Sequence, residues 1–598
     1  DEQSKFLFME PQNNYSTFVP TSRTMRLYPL GFSRPRIVFS YNSNLRNLLL
    51  SDFGNRVQSS IRHLFQDALI LNQETTFKQR AYIFRSIYFP SSNYISACDH
   101  CQRIQLCEQV MREAKIMHCD HLLFSLHAVV KLGIPQNSLL VQTLLRVVQE
   151  RINECDEKCL SVLSTVLEAM EPCKNVDVLR AGVRILADQQ VWKIERVFTL
   201  QAVMKCVGKD APIALKRKLE MKALRELDRF SDLNSQHMFE ALAAMNHRSI
   251  TLLNECSKMV IGNIHGCPFK VLINILQSCR DLRYRNLDLF KGIADYVATT
   301  IDIWKLKQVL FLLILLEDLG FRHTDLMDLF MKKVIDDPAS LNMKSIISIL
   351  HVYSSLNHFY KCQTQEFQEA MARSLTGYLH HISSENLLKA VSSFCLMNHF
   401  PLALINQLLQ KDIINELLTS GDIERNVHKL RILAACLKLD TSCPKAVDLA
   451  LPPLPSTPLF PNAKVADALS SLLGEGYFLR NVQLPHNYHI DFEVRMDINR
   501  SQVLPFSHMD AVTSAADIQR LVAVLCVPRS TYCLDLTHPR GFLAMKMRHL
   551  KVMGFHVILV HNWEIERLQM KDVVTFLKTE LYSAEAFPTA DVNLQSTC

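Results

Sequence analysis

Four stretches of the chain carry side chains that could do chemistry. The first is "CDHCQRIQLC", with Cys98, His100, Cys101 and Cys107, followed by His118 and Cys119. Paired cysteines at C-x2-C spacing can open a zinc site, since both thiolates can reach one tetrahedral ion. No second C-x2-C or H-x3–5-H follows at the usual distance, so no metal is expected there, and no cofactor elsewhere. The second is "LKRKLEMKALRELDRF" (215–230), in which Lys216, Arg217 and Lys218 fall consecutively and spread around a helix. The third is 540–551, with Arg540, Lys546, Arg548, His549 and Lys551 and no acid. Cations gathered on a helix suit phosphate, although a solvated helix face reads the same way. The fourth is Asp52-Phe53-Gly54, a tripeptide that holds Mg²⁺ in protein kinases. Phosphoryl transfer also needs a glycine-rich loop, a strand lysine and a catalytic aspartate. The chain has no G-x-G-x-x-G and no H-R-D, so the tripeptide reads as coincidence and no kinase is expected.

The elements that would position these residues follow from texture and period. Hydrophobic content is 48% and charged content 21%, the balance of a folded globular chain. Only 15 glycines stand in 598 residues, which favours helices over turn-rich β architecture. The longest purely apolar run, "VLFLLILL" (309–316), is too short to span a bilayer, which takes about 20 residues. Eighteen cysteines scattered singly do not form a disulfide framework and fit a reducing compartment. A net charge of +7 permits an anionic partner without requiring one.

One phrase recurs. "SSLNHFY" (354–360) returns as "CLMNHFP" (395–401), and weaker copies run back along the chain. Their anchor residues are Leu132, Met170, Val207, Met245, Leu282, Leu319, Leu356 and Met397, separated by 38, 37, 38, 37, 37, 37 and 41 residues. Each anchor closes an apolar run of helical spacing and is followed within four residues by a helix-ending residue, usually Gly, Asn or Pro. A period of 37–38 residues holds two helices and two turns. Such a hairpin cannot bury its apolar face alone, but a stack can. The expectation is a mostly α chain: an α-solenoid of about eight two-helix repeats over 100–440.

The ends differ from this middle. Residues 11–50 contain Arg23, Arg26, Arg34, Arg36 and Arg46, five serines, and no Asp, Glu or Lys. That is the composition of a mitochondrial transit peptide, and 1–60 are set apart from the fold on this ground. Residues 441–462 hold six prolines and read as a linker. Beyond it, over 463–598, strands alternate with helices, which predicts a small α/β module. "YHIDFEV" (488–494) alternates as a half-buried strand, with Tyr488, Ile490, Phe492 and Val494 on one side and His489, Asp491 and Glu493 on the other. "LVAVLCV" (521–527) and "HVILV" (556–560) read as buried strands around an amphipathic helix with an apolar stripe of Leu543, Met547 and Leu550.

"HPRGFLAMKMRHLKVMGFHVILVHNWEIERL" resembles the core of a RAP domain, over about 520–582. "VLFLLILLEDLGFRHTDLMDLFMKKVI" and "FCLMNHFPLALINQLLQKDIINELL" resemble the two leucine-rich segments of the Fas-activated serine/threonine kinase (FAST kinase) family. The resemblance implies a restriction-endonuclease-like C-terminal fold. It also implies RNA binding in the mitochondrial matrix, associated with RNA granules or nucleoids. The implied partners are large ribosomal RNA, messenger RNAs, and proteins of RNA granules and of large-subunit ribosome assembly. In that C-terminal fold two carboxylates hold Mg²⁺ and a lysine orients water. Asp491 or Glu493 would be the first acid and Lys546 a relocated lysine, but Cys526 and Val527 stand where the second acid belongs. The expected function is therefore non-enzymatic: an RNA-binding factor with Lys216, Arg217, Lys218, Arg540, Lys546, Arg548, His549 and Lys551 as candidate contacts. The alternatives are a Mg²⁺-dependent endoribonuclease using the C-terminal domain, and a protein-binding scaffold.

Overall fold

A computed structural model of the chain describes residues 107–131, 133–359, 364–419, 421–440, 451, 462–497, 499–506 and 519–582. The transit-like segment, Cys98, His100, Cys101, Asp52–Gly54 and nearly all of the proline-rich stretch lie outside these residues. Two compact units divide at Leu252–Leu253.

The helical part repeats. In the first unit the hairpins are α1 (Cys119–Lys131) with α2 (Leu139–Glu150), α3 (Glu157–Glu168) with α4 (Lys174–Gln190), and α5 (Val197–Val207) with α6 (Ile213–Arg225). Then come α7 (Asp232–Ala244) and α8 (Ile250–Gly262), the latter containing the division. The second unit continues with α9 (Phe269–Asp281) and α10 (Leu287–Thr299), α11 (Leu306–Asp318) and α12 (Thr324–Asp336), and α13 (Met343–Ser355) and α14 (Thr364–Thr376). It closes with α15 (Ser384–Leu396), the short α16 (Leu402–Leu408) and α17 (Lys411–Thr419), and α18 (Ile423–Leu439). First helices pack on first helices, α1–α3–α5–α7 in one unit and α9–α11–α13–α15–α18 in the other. Second helices form the second layer, as in α10–α12–α14–α16. The chain is thus a helical-repeat array followed by a small sheet domain.

The recurring phrase is the end of each first helix. The residue after the anchor adopts a left-handed conformation in Gly133, Gly208, Asn246, Arg283, Gly320, Asn357 and Asn398, with φ between 47° and 76°. Only Glu171 departs from the pattern. Glycine and asparagine tolerate this region best, which is why they recur. The turn lets the next amide reach back to the helix: His247 N to Leu242 O at 3.0 Å, Tyr284 N to Cys279 O at 2.8 Å, His358 N to Tyr353 O at 3.0 Å and His399 N to Phe394 O at 3.0 Å. These bonds satisfy carbonyls that a helix end leaves open. The same residues then tie hairpins together. His247 bonds Glu220 at 2.6 Å, Tyr284 bonds Asn254 at 2.7 Å and His358 bonds Asp328 at 2.7 Å. None of the helices among the described residues is long and apolar enough to cross a membrane.

The sheet domain comprises α19 (Ala463–Leu473), β1 (Phe478–Gln483), β2 (His489–Asp497), β3 (Val503–Leu504), β4 (Gln519–Val527), α20 (Gly541–Val552), β5 (Phe555–His561), α21 (Asn562–Ile565) and α22 (Met570–Tyr582). Strand order is β1-β2-β4-β5, with β3 on the end of β2. β1, β2 and β4 are antiparallel neighbours, while β4 and β5 are parallel and joined by α20. α19 and α22 cover one face through Val465, Leu469, Val573 and Leu577 against Phe492, Val494, Val524 and Ile558. α20 covers the other through Leu543, Met547 and Leu550 against Ala523, Leu525 and Phe555. This corrects the expected half-buried β2. With helices on both faces, Glu493 is buried, and Ile490 joins a different core cluster from Phe492 and Val494.

α20 also has a second partner, packing on α13, α15 and α18 of the array. Its first residue shows how close the approach is: a Cβ on Gly541 would lie 1.9 Å from the Ser354 carbonyl oxygen.

Candidate nucleic-acid interface

Parallel pairing brings the carboxyl ends of β4 and β5 to one edge of the sheet, where Val527 lies in register with His561. Ligands of α/β sheets gather at such edges, because loops leaving neighbouring strands diverge and open a crevice. Here the chain after β4 turns through Arg529–Thr531 to Tyr532, and the chain after β5 enters α21. The His561 ring stacks on Trp563 with centroids 4.6 Å apart and planes 23° apart. Tyr532 meets Trp563 edge-on at 5.8 Å. His561 Nδ1 lies 3.0 Å from the Glu564 carboxylate and Nε2 lies 3.0 Å from the Tyr532 hydroxyl. A carboxylate can only accept, so Nδ1 carries a proton toward Glu564. The exposed Arg529 guanidinium stands 5.8 Å from the half-buried Trp563 ring. An anchored aromatic with a cation over it can stack a base and meet its phosphate.

At the same strand end Asp491 accepts a hydrogen bond from the Cys526 backbone N–H at 2.9 Å. Burial pushes its carboxyl above the ordinary value, offset in part by that N–H and by the charge of Lys546. Burial likewise pulls Lys546 down, offset by Asp491. The attraction between the two charges thus offsets part of the cost of burying each. The Cys526 thiol is pushed up to about 12 by burial and by the Asp491 charge. A neutral thiol is no ligand for Mg²⁺, which takes hard oxygen donors. Glu493 is turned to Arg495, 3.6 Å away. Among the described residues, Asp491 and Glu493 do not converge with a third Cys, His or carboxylate donor. The donor set does not fit a catalytic Mg²⁺.

The basic residues singled out in the sequence scatter. Arg540 bonds Glu317 and the Ser355 hydroxyl (2.8 Å) in the array. Arg548 forks onto Asp440, 3.0 Å to each oxygen. His549 is fully buried between Tyr488 and Asp440. The face shared by Lys546 and His549 is therefore not a solvent-facing polar one: Lys546 is half-buried, and His549 is buried against the array. Lys216 is buried and donates to the Lys209 carbonyl at 2.6 Å. Lys218 pairs with Asp188 at 2.6 Å. Arg217 and Lys551 remain exposed. Four residues on from Arg217 come Met221 and then Arg225, whose guanidinium lies 4.6 Å from the ring of Trp192, itself 45% exposed. Cys119 lies against Cys155, 3.9 Å between sulfurs, while His118 is directed to Asp120.

Arg529, Tyr532, His561 and Trp563 were not among the sequence candidates. The available signal was "HNWE" directly after a buried strand, where side chains leave the sheet at its functional edge.

Comparison with known proteins bears on this edge. Residues 346–418 match the FAST kinase-like protein, subdomain 1, and residues 524–580 match the RAP domain. The chain belongs to the FAST kinase family of RAP-domain proteins. It is 59% identical to FAST kinase domain-containing protein 2, mitochondrial, of Pongo abelii, covering 98% of each chain. The human protein of that name is also 59% identical, over 98% of this chain and 96% of its own. FAST kinase domain-containing protein 3, mitochondrial, of Mus musculus is 26% identical over 41% of this chain and 38% of its own.

Proposed function

We propose that this chain is a non-enzymatic RNA-binding factor of the mitochondrial matrix, resident in RNA granules, acting on organellar transcripts after transcription. Membership of a family whose relatives are named mitochondrial, together with the RAP domain, fits such a role. The observation that carries it is the edge of β4 and β5, where Trp563 is braced by His561 and Tyr532 under an exposed arginine. Single-stranded RNA is recognised by stacking unpaired bases on aromatic rings and meeting phosphates with cations. The Trp192–Arg225 pair offers the same chemistry in the first unit. We further assign large ribosomal RNA and messenger RNAs as substrates, with support of large-subunit assembly as the outcome.

The test is anisotropy titration of a single-stranded RNA with the full chain. Trp563→Ala should weaken binding about 10-fold, the loss of one stacked base. Arg529→Ala should weaken it less and lower the salt slope by about one. Affinities unchanged in both variants would remove this edge from the interface.

The endoribonuclease reading has one observation in its favour, the buried Asp491 carboxyl whose charge and that of Lys546 act on each other. Cleavage of RNA in Mg²⁺ by the wild type but not by Asp491→Ala would establish it. Equal behaviour of the two proteins excludes that site.

A further inference from the structure

Where α20 meets the array, three side chains with metal-binding atoms come together from two helices, with a fourth beside them on a third helix. Cys436 lies in the last turn of α18, and Asp440 caps the same helix one turn on, so both project from one face. His549 comes from α20. One donor atom from each of these three lies within 4.8 Å of the others. A further sulfur, that of Cys395 in the last turn of α15, neighbours the Cys436 thiol just outside this group of three. Cys395, Cys436 and His549 are fully or almost fully buried, and Asp440 is 7% exposed.

We propose that Cys395, Cys436, Asp440 and His549 form a structural zinc site that fastens the RAP domain to the last repeats. Two sulfurs, an imidazole and a carboxylate are the donor types of tetrahedral Zn²⁺ sites, and the thiolates select against Mg²⁺ and Ca²⁺. Zn²⁺ with bonds of about 2.0 to 2.3 Å needs donor spacings of about 3.3 to 3.8 Å. His549 Nε2 and Asp440 Oδ2 are already 3.2 Å apart.

The surroundings serve such an ion. Tyr488 Oη lies 2.5 Å from His549 Nδ1, which orients the ring and leaves Nε2 for the metal. Arg548 holds both Asp440 oxygens from outside. Charge also balances: two thiolates and one carboxylate against Zn²⁺ and one guanidinium sum to zero, so burial carries no net charge. Loading displaces one proton from each cysteine to solvent. The sequence spacing hides the site, because its donors stand at 395, 436, 440 and 549 and share no short motif.

The experiment measures metal in the purified full chain by mass spectrometry after extensive dialysis, with Zn²⁺ supplied during expression. About one zinc per chain is expected, falling at least about tenfold in Cys436→Ala and in His549→Ala. Wild type free of zinc, or variants that keep it, would overturn the proposal. Should the variants fail to fold, wild type stripped of metal and titrated with Co²⁺ decides. The visible bands of tetrahedral cobalt and a thiolate charge-transfer band are expected, the latter about halved in Cys395→Ser. Their absence in the wild type refutes the site.

Discussion

The repeats and the sheet domain solve the same problem, ending a helix against a neighbour, in opposite ways. Most hairpins use a backbone device, a left-handed residue after the anchor with an amide returned to the helix, and several add a side chain tied to an earlier helix. Copies of the device share the load, so each is weak and local. α20 has no copy. It is held by Gly541 against Ser354, by Arg540 in the pocket of Glu317 and Ser355, and by Arg548 and His549 on Asp440. Contacts that occur once have no copies to share their loss, and removing one partner of a buried ion pair strands the other.

If that contrast is right, the largest effect belongs to Gly541→Val. The new Cβ meets a backbone carbonyl, which cannot swing aside as a side chain could. A loss of about 3 kcal/mol or more is expected in denaturant unfolding of the full chain. A loss below about 1 kcal/mol would show that α20 can slide on α13, and the contrast would fail. Arg540→Ala comes next. It strands Glu317, whose side chain is 8% exposed, although Ser355 keeps one bond to it at 2.5 Å. With Arg540 itself 26% exposed, about 2 kcal/mol is expected, less than for a fully buried pair. A double-mutant cycle with Glu317→Gln checks that the two losses do not add.

The repeats should respond more gently. Asn357→Val and Asn398→Val each force a β-branched residue to φ near 50°, at about 1 to 2 kcal/mol. Because they close different hairpins, the double variant should equal the sum within about 0.5 kcal/mol. A strong departure from additivity would mean that the hairpins are coupled as tightly as the α20 junction.

The same contrast governs what could be read from the sequence. The hairpins were legible because a period amplifies a faint signal: "NHF" twice, with Gly or Asn at the same offset elsewhere, marks a turn that must be left-handed. β4, α20 and β5 were legible too, from apolar runs around an amphipathic helix. The polar side of α20 was not. Lys546, Arg548 and His549 form one basic cluster in one dimension, and nothing local says that Asp440 of the array waits for Arg548 and His549. Glu493 misled for a related reason. Alternation assigns a face but not its occupant, and α20 occupies the face that was read as solvent. Trp563 lay in view but gained meaning only when parallel pairing set it beside Tyr532.

The smallest effect belongs to the buried carboxyl of Asp491. Asp491 has a carboxyl raised by burial, so the folded chain takes up that proton more readily than the unfolded chain. Stability associated with Asp491 therefore rises as pH falls through its folded pKa toward the ordinary carboxylate value, and the ionised form costs stability at neutral pH. Lys546 stays charged across that acid range, so stranding it in Asp491→Asn changes the offset between variant and wild type but not the slope. The stability difference, wild type minus Asp491→Asn, should then shift in favour of the wild type on acidification. Urea unfolding at a series of pH values between neutral and about 4 measures it. A flat difference would mean that solvent reaches the carboxyl; an opposite slope would mean that the Cys526 amide and the charge of Lys546 stabilise the carboxylate more than burial harms it.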